Sequence, residues 1–310
     1  MPQAKGGCPT SYDLLCIGNP VYDVIEAPHF KAQGRILSGC SVNAALTAKA
    51  LGLRRVALLG CAGGGFVDRL RFELNSYGLS EVYVKETSEM CGFKLTYSPD
   101  LRSRTLKALS GFAKLRPSDV PLELLDAKAI LIGPVLREVD LELVEFVRRN
   151  SKAELFLDPQ GLIRDVSSDG SVIHVEDEEV KEVVRLCDYV KPNEAEAEVI
   201  TGLEAEEAVR ELWRQGARVS IVTLADRGSL IYDGASLYRV PAYKVRAVDP
   251  TGAGDVYAGA FIYARLKGFS LLEAGLLASA AASIKVEHVG PSFVRSLGES
   301  VRRAEELRMR

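Results

Sequence analysis

Hydrophobic residues along this chain occur in short runs, and the segments between the runs repeat their apolar positions with helical spacing. The runs predict buried strands at residues 12–17, 56–59, 129–132, 155–157, 189–190 and 219–223. The intervening segments predict helices at residues 42–51, 66–77, 141–149, 177–186 and 204–215. Strands that alternate with helices build right-handed β-α-β units. The pattern therefore predicts an α/β fold, in which helices cover both faces of a mostly parallel central sheet.

Two stretches interrupt this alternation. Residues 81–109 contain short runs of alternating polarity with a turn at 98–100, and residues 23–37 have a similar extended pattern. Such alternation predicts short antiparallel strands. They form either a surface meander or a small β lid beside the sheet, a position from which lids commonly close over substrates. We expect a lid built from about residues 23–37 and 81–109.

The last third of the chain has a different pattern. Residues 252–266, 270–285 and 293–307 predict three consecutive helices, of which the first two are rich in Ala and Leu. No repeat or low-complexity linker divides the sequence. We therefore expect residues 1–310 to form a single large domain with a small lid.

Composition narrows the classes of function. The chain has 310 residues, with 39 Lys and Arg against 42 Asp and Glu, and a net charge of −3. That balance gives no electrostatic footprint for nucleic acid or for an anionic membrane. Neither an apolar run of the roughly 18–20 residues that span a bilayer nor a signal peptide is visible, so we expect a cytoplasmic protein. The scattered cysteines form no Cys-x-x-Cys pair and indicate neither a zinc site nor a disulfide framework.

The most informative loop is Asp-Pro-Thr-Gly-Ala-Gly-Asp at residues 249–255, which leads directly into a predicted helix. Its small residues leave the backbone bare, and the N–H groups of the first helical turn point outward with the helix dipole behind them. Such a loop suits phosphate oxygens or a transferring phosphoryl group. Asp255 in the first turn is well placed to accept a proton from an attacking hydroxyl. The alternative is an ordinary turn with a helix-capping Asp.

This string resembles the signature of the ribokinase (PfkB) family of carbohydrate kinases, Asp-Thr-x-Gly-Ala-Gly-Asp, with Pro250 where the family usually has Thr. The resemblance implies a ribokinase-like three-layer α/β/α sandwich. It also implies transfer of the γ-phosphoryl of ATP to a hydroxyl of a small polyol or sugar. Asp255 then takes the hydroxyl proton, and the backbone N–H groups of Gly252, Ala253 and Gly254 hold the phosphoryl group.

Further family elements follow in order along the chain. Gly-Asn-Pro-Val-Tyr-Asp ends the first strand, and its Asp23 corresponds to an Asp that binds sugar hydroxyls in the family. Residues 38–43 resemble the Gly-Gly-x-x-x-Asn substrate loop, with Ser38 at the first Gly, Gly39 at the second and Asn43 at its end. Residues 60–66 match the family's second glycine loop. Read alone, that loop is a weak dinucleotide fingerprint with the wrong glycine spacing.

The elements on the donor side resemble the family as well. Asn193 and Glu196 match the Asn-x-x-Glu motif, which implies a role for both in organising Mg²⁺, with Glu196 acting through water. The alternative is a helix cap followed by a solvated acidic face. Thr223 and Gly228 belong to a turn similar to the nucleotide-binding Thr-Leu-Gly-x-x-Gly, in which Ala225 replaces a Gly. The implied cofactors are ATP and Mg²⁺, with K⁺ as a further candidate beside the anion loop.

The acceptor is suggested by Asp-Pro-Gln-Gly-Leu-Ile-Arg at residues 158–164, which looks like the myo-inositol kinase branch of the family. Residues 133–139 and 93–97 also resemble archaeal members of that branch. Asp23, Asn43 and Gln160 supply the donors and acceptors that a polyol pocket needs. The alternative is that Gln160 is a loop residue that caps a helix and binds no acceptor. Arg164 either contacts phosphate or is a surface arginine that pairs with Asp165 or Asp169.

Other functions compete with this hypothesis. A nucleoside or another sugar is an alternative acceptor within the same family, and a sensor that binds nucleotide without catalysis uses the same fold. An NAD-dependent dehydrogenase has the same sheet architecture, but this sequence lacks the glycine spacing that binds the dinucleotide. Hydrolase motifs such as Gly-x-Ser-x-Gly and His-Glu-x-x-His are missing from the sequence. We expect a small-molecule partner, and a homodimer that pairs through exposed lid edges is a further expectation.

Overall fold

Most strands of the fold belong to two sheets of unequal size. The computed structural model describes residues 11–309 except 29, 32, 102 and 111. Its strands are β1 (Tyr12–Ile17), β2 (Val21–Ala27), β3 (Phe30–Lys31), β4 (Ile36–Ser38), β5 (Val56–Gly63), β6 (Glu81–Thr87), β7 (Phe93–Tyr97), β8 (Arg104–Ala108), β9 (Ala127–Ile132), β10 (Glu154–Leu157), β11 (Arg164–Val166), β12 (Val172–His174), β13 (Tyr189–Val190), β14 (Val219–Thr223), β15 (Ser229–Tyr232) and β16 (Leu237–Val240). Within the described residues, the large sheet has the order β16-β15-β14-β13-β10-β9-β1-β5-β6.

The large sheet is mostly parallel. Strand β1 pairs in parallel with β5 and β9, and only β15 and β16 at one edge pair antiparallel. Side chains of β1 alternate between two cores, since Leu14 faces one hydrophobic cluster and Leu15 the other, both fully buried. A strand covered on both faces has an uninterrupted apolar run rather than an alternating one. The predicted α/β fold with a mostly parallel sheet is confirmed.

Helices cover both faces of this sheet. They are α1 (Cys40–Leu51), α2 (Val67–Ser76), α3 (Leu141–Asn150), α4 (Glu179–Leu186), α5 (Glu194–Thr201), α6 (Ala205–Arg214), α7 (Ala253–Leu266), α8 (Leu271–Val286) and α9 (Ser300–Arg308). Helices α1, α2, α7, α8 and α9 pack on one face, and α3, α4, α5 and α6 pack on the other. The layers are therefore helix, sheet and helix.

The helix predicted at 293–307 is wrong in its first half. Residues Gly290–Glu299 form a 3₁₀ segment, and the α-helix begins only at Ser300. Pro291 lacks the N–H that an α-helix uses, and Gly298 has a poor helix propensity. The described part of the chain contains no helix long and apolar enough to cross a membrane.

The small sheet has the order β3-β2-β7-β8, with β4 paired to β2. Strand β2 pairs in parallel with β7, which pairs antiparallel with β8. The predicted lid segment 81–109 needs correction, because β6 pairs in parallel with β5 at the edge of the large sheet. Val82 and Tyr83 pack on opposite faces of that edge and are only partly buried, which produces the alternation seen in the sequence.

Candidate active site

The loop predicted to bind an anion, residues 249–255, leads into helix α7, and we call its first four residues, 249–252, the anion loop. Gly252 caps that helix in the left-handed conformation, with φ of 80°. A Cβ on Gly252 would lie 2.4 Å from Nδ2 of Asn43, so a side chain does not fit there. The N–H groups of the first turn of α7 have no acceptor within the helix, and that of Ala253 donates to the Pro250 carbonyl of the loop at 3.2 Å. First-turn N–H groups and a helix dipole are what an anion site uses, so this site stays a prediction with the geometry it needs.

Asp255 lies in the first turn of α7 and is held by two amide side chains. Nδ2 of Asn43 donates to its Oδ2 at 2.9 Å. Nε2 of Gln160 donates to its Oδ1 at 3.2 Å. Asn43 comes from the first turn of α1, and Gln160 from a 3₁₀ turn directly after β10. The structure thus brings the proposed base into contact with two predicted acceptor-binding residues.

A buried ion pair lies beside this carboxylate. Nζ of Lys191 is 2.9 Å from Oδ2 of Asp158, and both side chains are almost fully buried. A Cβ on Gly254 would lie 3.4 Å from the same Nζ, which places the ammonium at the start of α7. Burial by itself lowers the pKa of Lys191, but the carboxylates of Asp158 and Glu196 outweigh it and raise that pKa. The ammonium therefore stays charged where phosphate would bind.

Sequence reasoning missed Lys191 as a site residue. It directly follows β13 and precedes the predicted metal motif. A charged residue at the carboxyl end of a parallel strand was the available signal, because ligands bind at that edge of an α/β sheet.

Three side chains at this edge lie close enough together to bind one metal ion: Cys40, Asp158 and Asp255. Burial is the main cause that raises the pKa of the Cys40 thiol. A protonated thiol is a poor partner for Mg²⁺, which prefers oxygen.

Asn193 and Glu196 form a capping box at the start of α5. The Asn193 side chain accepts from the Glu196 N–H, and the Glu196 carboxylate accepts from the Asn193 N–H, both at 2.9 Å. A helix cap is therefore present, but the alternative of a solvated acidic face is wrong for Glu196, which is only 3% exposed. Burial raises the pKa of Glu196, with the neighbouring charge of Asp158 acting in the same direction.

Arg164 is buried and faces Glu196, so it is not a surface arginine paired with Asp165 or Asp169. Its Nη1 donates to the Val135 carbonyl at 3.1 Å, and its Nη2 lies 3.9 Å from Oε1 of Glu196. That distance is too long for a hydrogen bond. Oε1 of Glu196 is therefore able to accept from a water molecule. A carboxylate that reaches Mg²⁺ through water fits this arrangement.

The predicted nucleotide turn lies between β14 and β15. The Leu224 N–H donates to the Gly228 carbonyl at 2.7 Å, and Thr223 forms a parallel bridge with Asn193. The turn and the capping box therefore adjoin each other. Ala225, at a position where the family usually has Gly, has φ of 52° and so adopts the left-handed conformation that glycine takes most easily. A Cβ on Gly228 would lie 1.9 Å from the Val240 carbonyl, which requires glycine.

Asp23 and Gly39 lie where the small sheet meets the large one. Oδ1 of Asp23 accepts from the Phe93 N–H at 2.8 Å, so this carboxylate ties β2 to β7. Burial raises the pKa of Asp23 to about 7, and hydrogen bonds from Phe93 and Ser38 oppose that shift. Ser38, which stands where the family usually has the first Gly of the substrate loop, therefore forms a hydrogen bond with Asp23. Gly39 caps helix α1 with φ of 114° and so leads the chain to Asn43.

The small sheet contributes two further side chains to the site. The Tyr97 hydroxyl lies 2.8 Å from Oγ1 of Thr251 in the anion loop. Nη1 of Arg104 donates to the same Tyr97 hydroxyl at 3.0 Å. Desolvation of the guanidinium lowers the pKa of Arg104, a residue that is exposed as a whole, but Tyr97 and the charges of Asp255 and Glu196 outweigh it and raise that pKa. Sequence reasoning named neither as a site residue. Tyr97 ends the segment 93–97 that resembles archaeal family members, whereas the signal for Arg104 was its position in the predicted lid.

Known proteins resemble this chain in sequence along most of its length. A sequence model of the pfkB family of carbohydrate kinases matches residues 12–296. The chain is 28% identical over 308 residues to the nucleoside kinase of Methanothermobacter thermautotrophicus, covering 94% of this chain and 95% of that protein. It is 27% identical over 276 residues to the deoxyribokinase of Salmonella typhi, covering 81% of this chain and 85% of that protein.

Solved structures confirm the predicted ribokinase-like fold. A pyrophosphate-dependent kinase in the ribokinase family, complexed with a pyrophosphate analog and myo-inositol, superposes with a TM-score of 0.81 at 24% identity, covering 92% of this chain and 99% of that one. Ribokinase from Thermotoga maritima superposes with a TM-score of 0.75 at 21% identity, covering 96% of this chain and all of that one (100%).

Proposed function

The chain belongs to the pfkB family of carbohydrate kinases and is a phosphotransferase that acts on a hydroxyl, and from this premise we propose that it uses ATP to phosphorylate myo-inositol or a related cyclitol. The observation that carries the proposal is the Asp255 carboxylate, fixed by Asn43 and Gln160 at the start of α7. One group of side chains thus combines a proton acceptor, polyol-binding amides and an anion site.

The reaction needs few covalent roles from the protein. The acceptor oxygen forms a bond to the γ-phosphorus of ATP while the bond from that phosphorus to the ADP oxygen breaks, and the hydroxyl proton passes to Asp255. The N–H groups of Gly252 and Gly254 stabilise the charge on the transferring phosphoryl group, and that of Ala253 joins them when it turns from the Pro250 carbonyl, to which it donates at 3.2 Å. The ammonium of Lys191, beside Gly254, adds positive charge at the same place.

The donor side supports ATP with magnesium. The family uses ATP with Mg²⁺, and a protein assigned as ribokinase II of Escherichia coli, similar in fold at 20% identity, has been solved in complex with both. Magnesium, when bound, neutralises phosphate charge, and Glu196 would hold it through water, with Asn193 fixing that carboxylate. Pyrophosphate is the competing donor, because the similar structure with the myo-inositol complex is a pyrophosphate-dependent kinase.

The acceptor side supports a polyol. Asn43 and Gln160 present amide groups, and Asp23 presents a carboxylate, so hydroxyls on several carbons have partners. Gln160 distinguishes this site in sequence from the usual Asp-Pro-Asn pattern, and it contacts the base directly. A nucleoside or a pentose is the second candidate, because the two relatives described above are a nucleoside kinase and a deoxyribokinase.

The first experiment measures product formation with ATP or pyrophosphate and Mg²⁺. The acceptor panel contains myo-inositol, ribose, deoxyribose, fructose, 2-keto-3-deoxygluconate, adenosine and cytidine. Turnover confined to myo-inositol supports the acceptor proposed here, and another preferred compound replaces it without changing the mechanism. Turnover with pyrophosphate alone overturns the choice of ATP. No turnover with any acceptor, while ATP still binds, favours a sensor.

The second experiment tests the base. Asp255→Asn keeps the shape of the side chain but removes proton acceptance, so turnover should fall by roughly 10²–10⁴-fold with little change in nucleotide affinity. Asp68→Asn, an exposed position in the first turn of α2, is the matched control and should retain turnover. Near-normal turnover of Asp255→Asn would remove Asp255 from the proposed role.

A further inference from the structure

A lysine side chain is buried directly beside the anion loop. Lys285, in the last turn of α8, is 1% exposed. Its Nζ lies 3.2 Å from Oδ2 of Asp249, 3.2 Å from the Asp249 carbonyl and 2.9 Å from the His288 carbonyl. An ammonium has three N–H donors, and these three oxygens satisfy them. The proposed reaction gives Lys285 no role, although it contacts the first residue of the loop.

The contacts of Asp249 extend this arrangement into the loop itself. Its Oδ1 accepts from the Thr251 N–H at 3.0 Å, and its Oδ2 also accepts from the Gly290 N–H at 3.3 Å. The N–H groups of Val248 and Asp249 both donate to the Val286 carbonyl, at 2.7 and 3.0 Å. The end of α8 therefore holds the anion loop through its backbone and through the Lys285 ammonium.

Potassium beside this loop does not fit the residues present. Two carbonyl oxygens and a carboxylate are ligands that a dehydrated monovalent cation takes, and here the Lys285 ammonium occupies the space between them. A second cation drawn to the same oxygens would lie against a like charge in a buried place, which is costly. Burial lowers the pKa of Lys285, while the Asp249 carboxylate opposes that shift and favours the charged form.

We propose that the Lys285 ammonium is the built-in cation of the anion loop: it positions residues 249–252 for phosphoryl transfer and makes turnover independent of potassium. The proposal rests on the kinase function proposed above. Lys285 is a positioning residue, since it acts through Asp249 and Thr251 rather than on the phosphates. A purely structural lysine would neutralise Asp249 equally well, but its removal would create no demand for a soluble cation.

The first test uses the wild-type protein. Turnover is measured in tetramethylammonium salts and then with increasing K⁺ at one constant ionic strength of about 0.1 M, because salt also screens charges. We expect turnover to change by less than about twofold across the series. Saturable activation by K⁺ of roughly tenfold or more would overturn the proposal.

The second test removes the ammonium in two ways. Lys285→Ala leaves space for an ion, whereas Lys285→Met fills most of that space with an apolar chain. We expect both variants to lose roughly 10²-fold in turnover through misplacement of the loop. Added K⁺, NH₄⁺ or methylammonium should restore turnover to Lys285→Ala but not to Lys285→Met. An Ala variant that ignores these ions, or that retains full turnover in tetramethylammonium, contradicts the proposal.

Thermal unfolding separates this proposal from the kinase assignment. K⁺ should raise the melting temperature of Lys285→Ala by several degrees, because an ion that binds only the folded state stabilises it. It should leave the wild type and Lys285→Met unchanged relative to tetramethylammonium. This result requires no acceptor and stands if the kinase proposal fails. If neither variant folds, the wild-type series still decides, because K⁺ activation or K⁺ stabilisation of the wild type overturns the proposal.

Discussion

Replacing Gly252 by Ala tests whether the contact between Asn43 and Asp255 matters for turnover. The added Cβ would lie 2.4 Å from Nδ2 of Asn43 and 3.3 Å from Oδ2 of Asp255. Contacts that short force the neighbours to move, and the Asn43 amide is the atom group in the way. The backbone N–H of residue 252 is retained, so any effect on turnover comes from the displaced side chains or from the altered backbone.

A matched control measures the cost of a left-handed alanine where no neighbour is displaced. Gly268, after the end of α7, has φ of 84°, close to the 80° of Gly252, but a Cβ there has open space around it. A left-handed non-glycine residue costs roughly 1–2 kcal/mol, part of which is offset because Ala restricts the unfolded chain. We therefore expect Gly268→Ala to lower the free energy of unfolding by about 1 kcal/mol and to leave turnover unchanged. Gly252→Ala should cost at least as much stability.

The difference between the two variants lies in catalysis. A displacement of about 1 Å at reacting groups lowers rates by roughly 10²-fold, so we expect that loss in kcat for Gly252→Ala alone. Steady-state kinetics and urea unfolding on both variants measure the two effects separately. If Gly252→Ala loses stability as Gly268→Ala does but keeps kcat within about threefold of wild type, the Asn43 contact does not position the base.

Three further predictions concern the edges of the site. Ala225→Gly relieves a left-handed alanine and should raise the free energy of unfolding by about 0.5–1 kcal/mol in urea titrations, and a loss of stability would contradict the strain. Burial raises the pKa of Asp23 from 3.8 to about 7. The contribution of Asp23 to the free energy of unfolding therefore declines as pH rises from about 4 to about 7. Acceptor KM should rise about tenfold per pH unit below pH 7, because a protonated Asp23 no longer offers a carboxylate to the acceptor. Asp23→Asn should flatten both pH profiles, and an unchanged KM profile in that variant would exclude Asp23. Tyr97→Phe removes the bond to Thr251 and should lower kcat/KM about fivefold, whereas an unaltered kcat/KM would show that this contact does not hold the small sheet on the loop.

The sequence predicted the large sheet well because its strands are buried on both faces. Such strands are mostly apolar on both faces, and the predicted bounds of β1 and β14 match the structure. The failure at β6 has the same physical origin. An edge strand is only partly covered, so its polarity alternates like that of a strand in a small exposed sheet. Polarity alone does not distinguish these cases, and the prediction assigned residues 81–87 to the wrong sheet.

Within the site, the sequence identified residues that follow recognisable motifs and missed those that a motif does not mark. Asn43, Gln160 and Asp255 are far apart in the chain, yet the structure joins them by direct hydrogen bonds. Lys285 and Lys191 carried no such signal. Both are buried lysines whose partners, Asp249 and Asp158, come from distant elements, and pairing across a fold is not visible in local spacing.

The two amides on Asp255 bear on how the proposed base works. An ionised carboxylate has about four lone-pair positions, and the bonds from Asn43 and Gln160 use one on each oxygen. Capacity therefore remains for the acceptor hydroxyl, which can donate to Asp255 while both amides stay in place. An approaching hydroxyl then meets a base whose orientation is already fixed, so less freedom is lost on binding. The same amides can accept from neighbouring acceptor hydroxyls through their oxygens, which links recognition of a polyol to the position of the base.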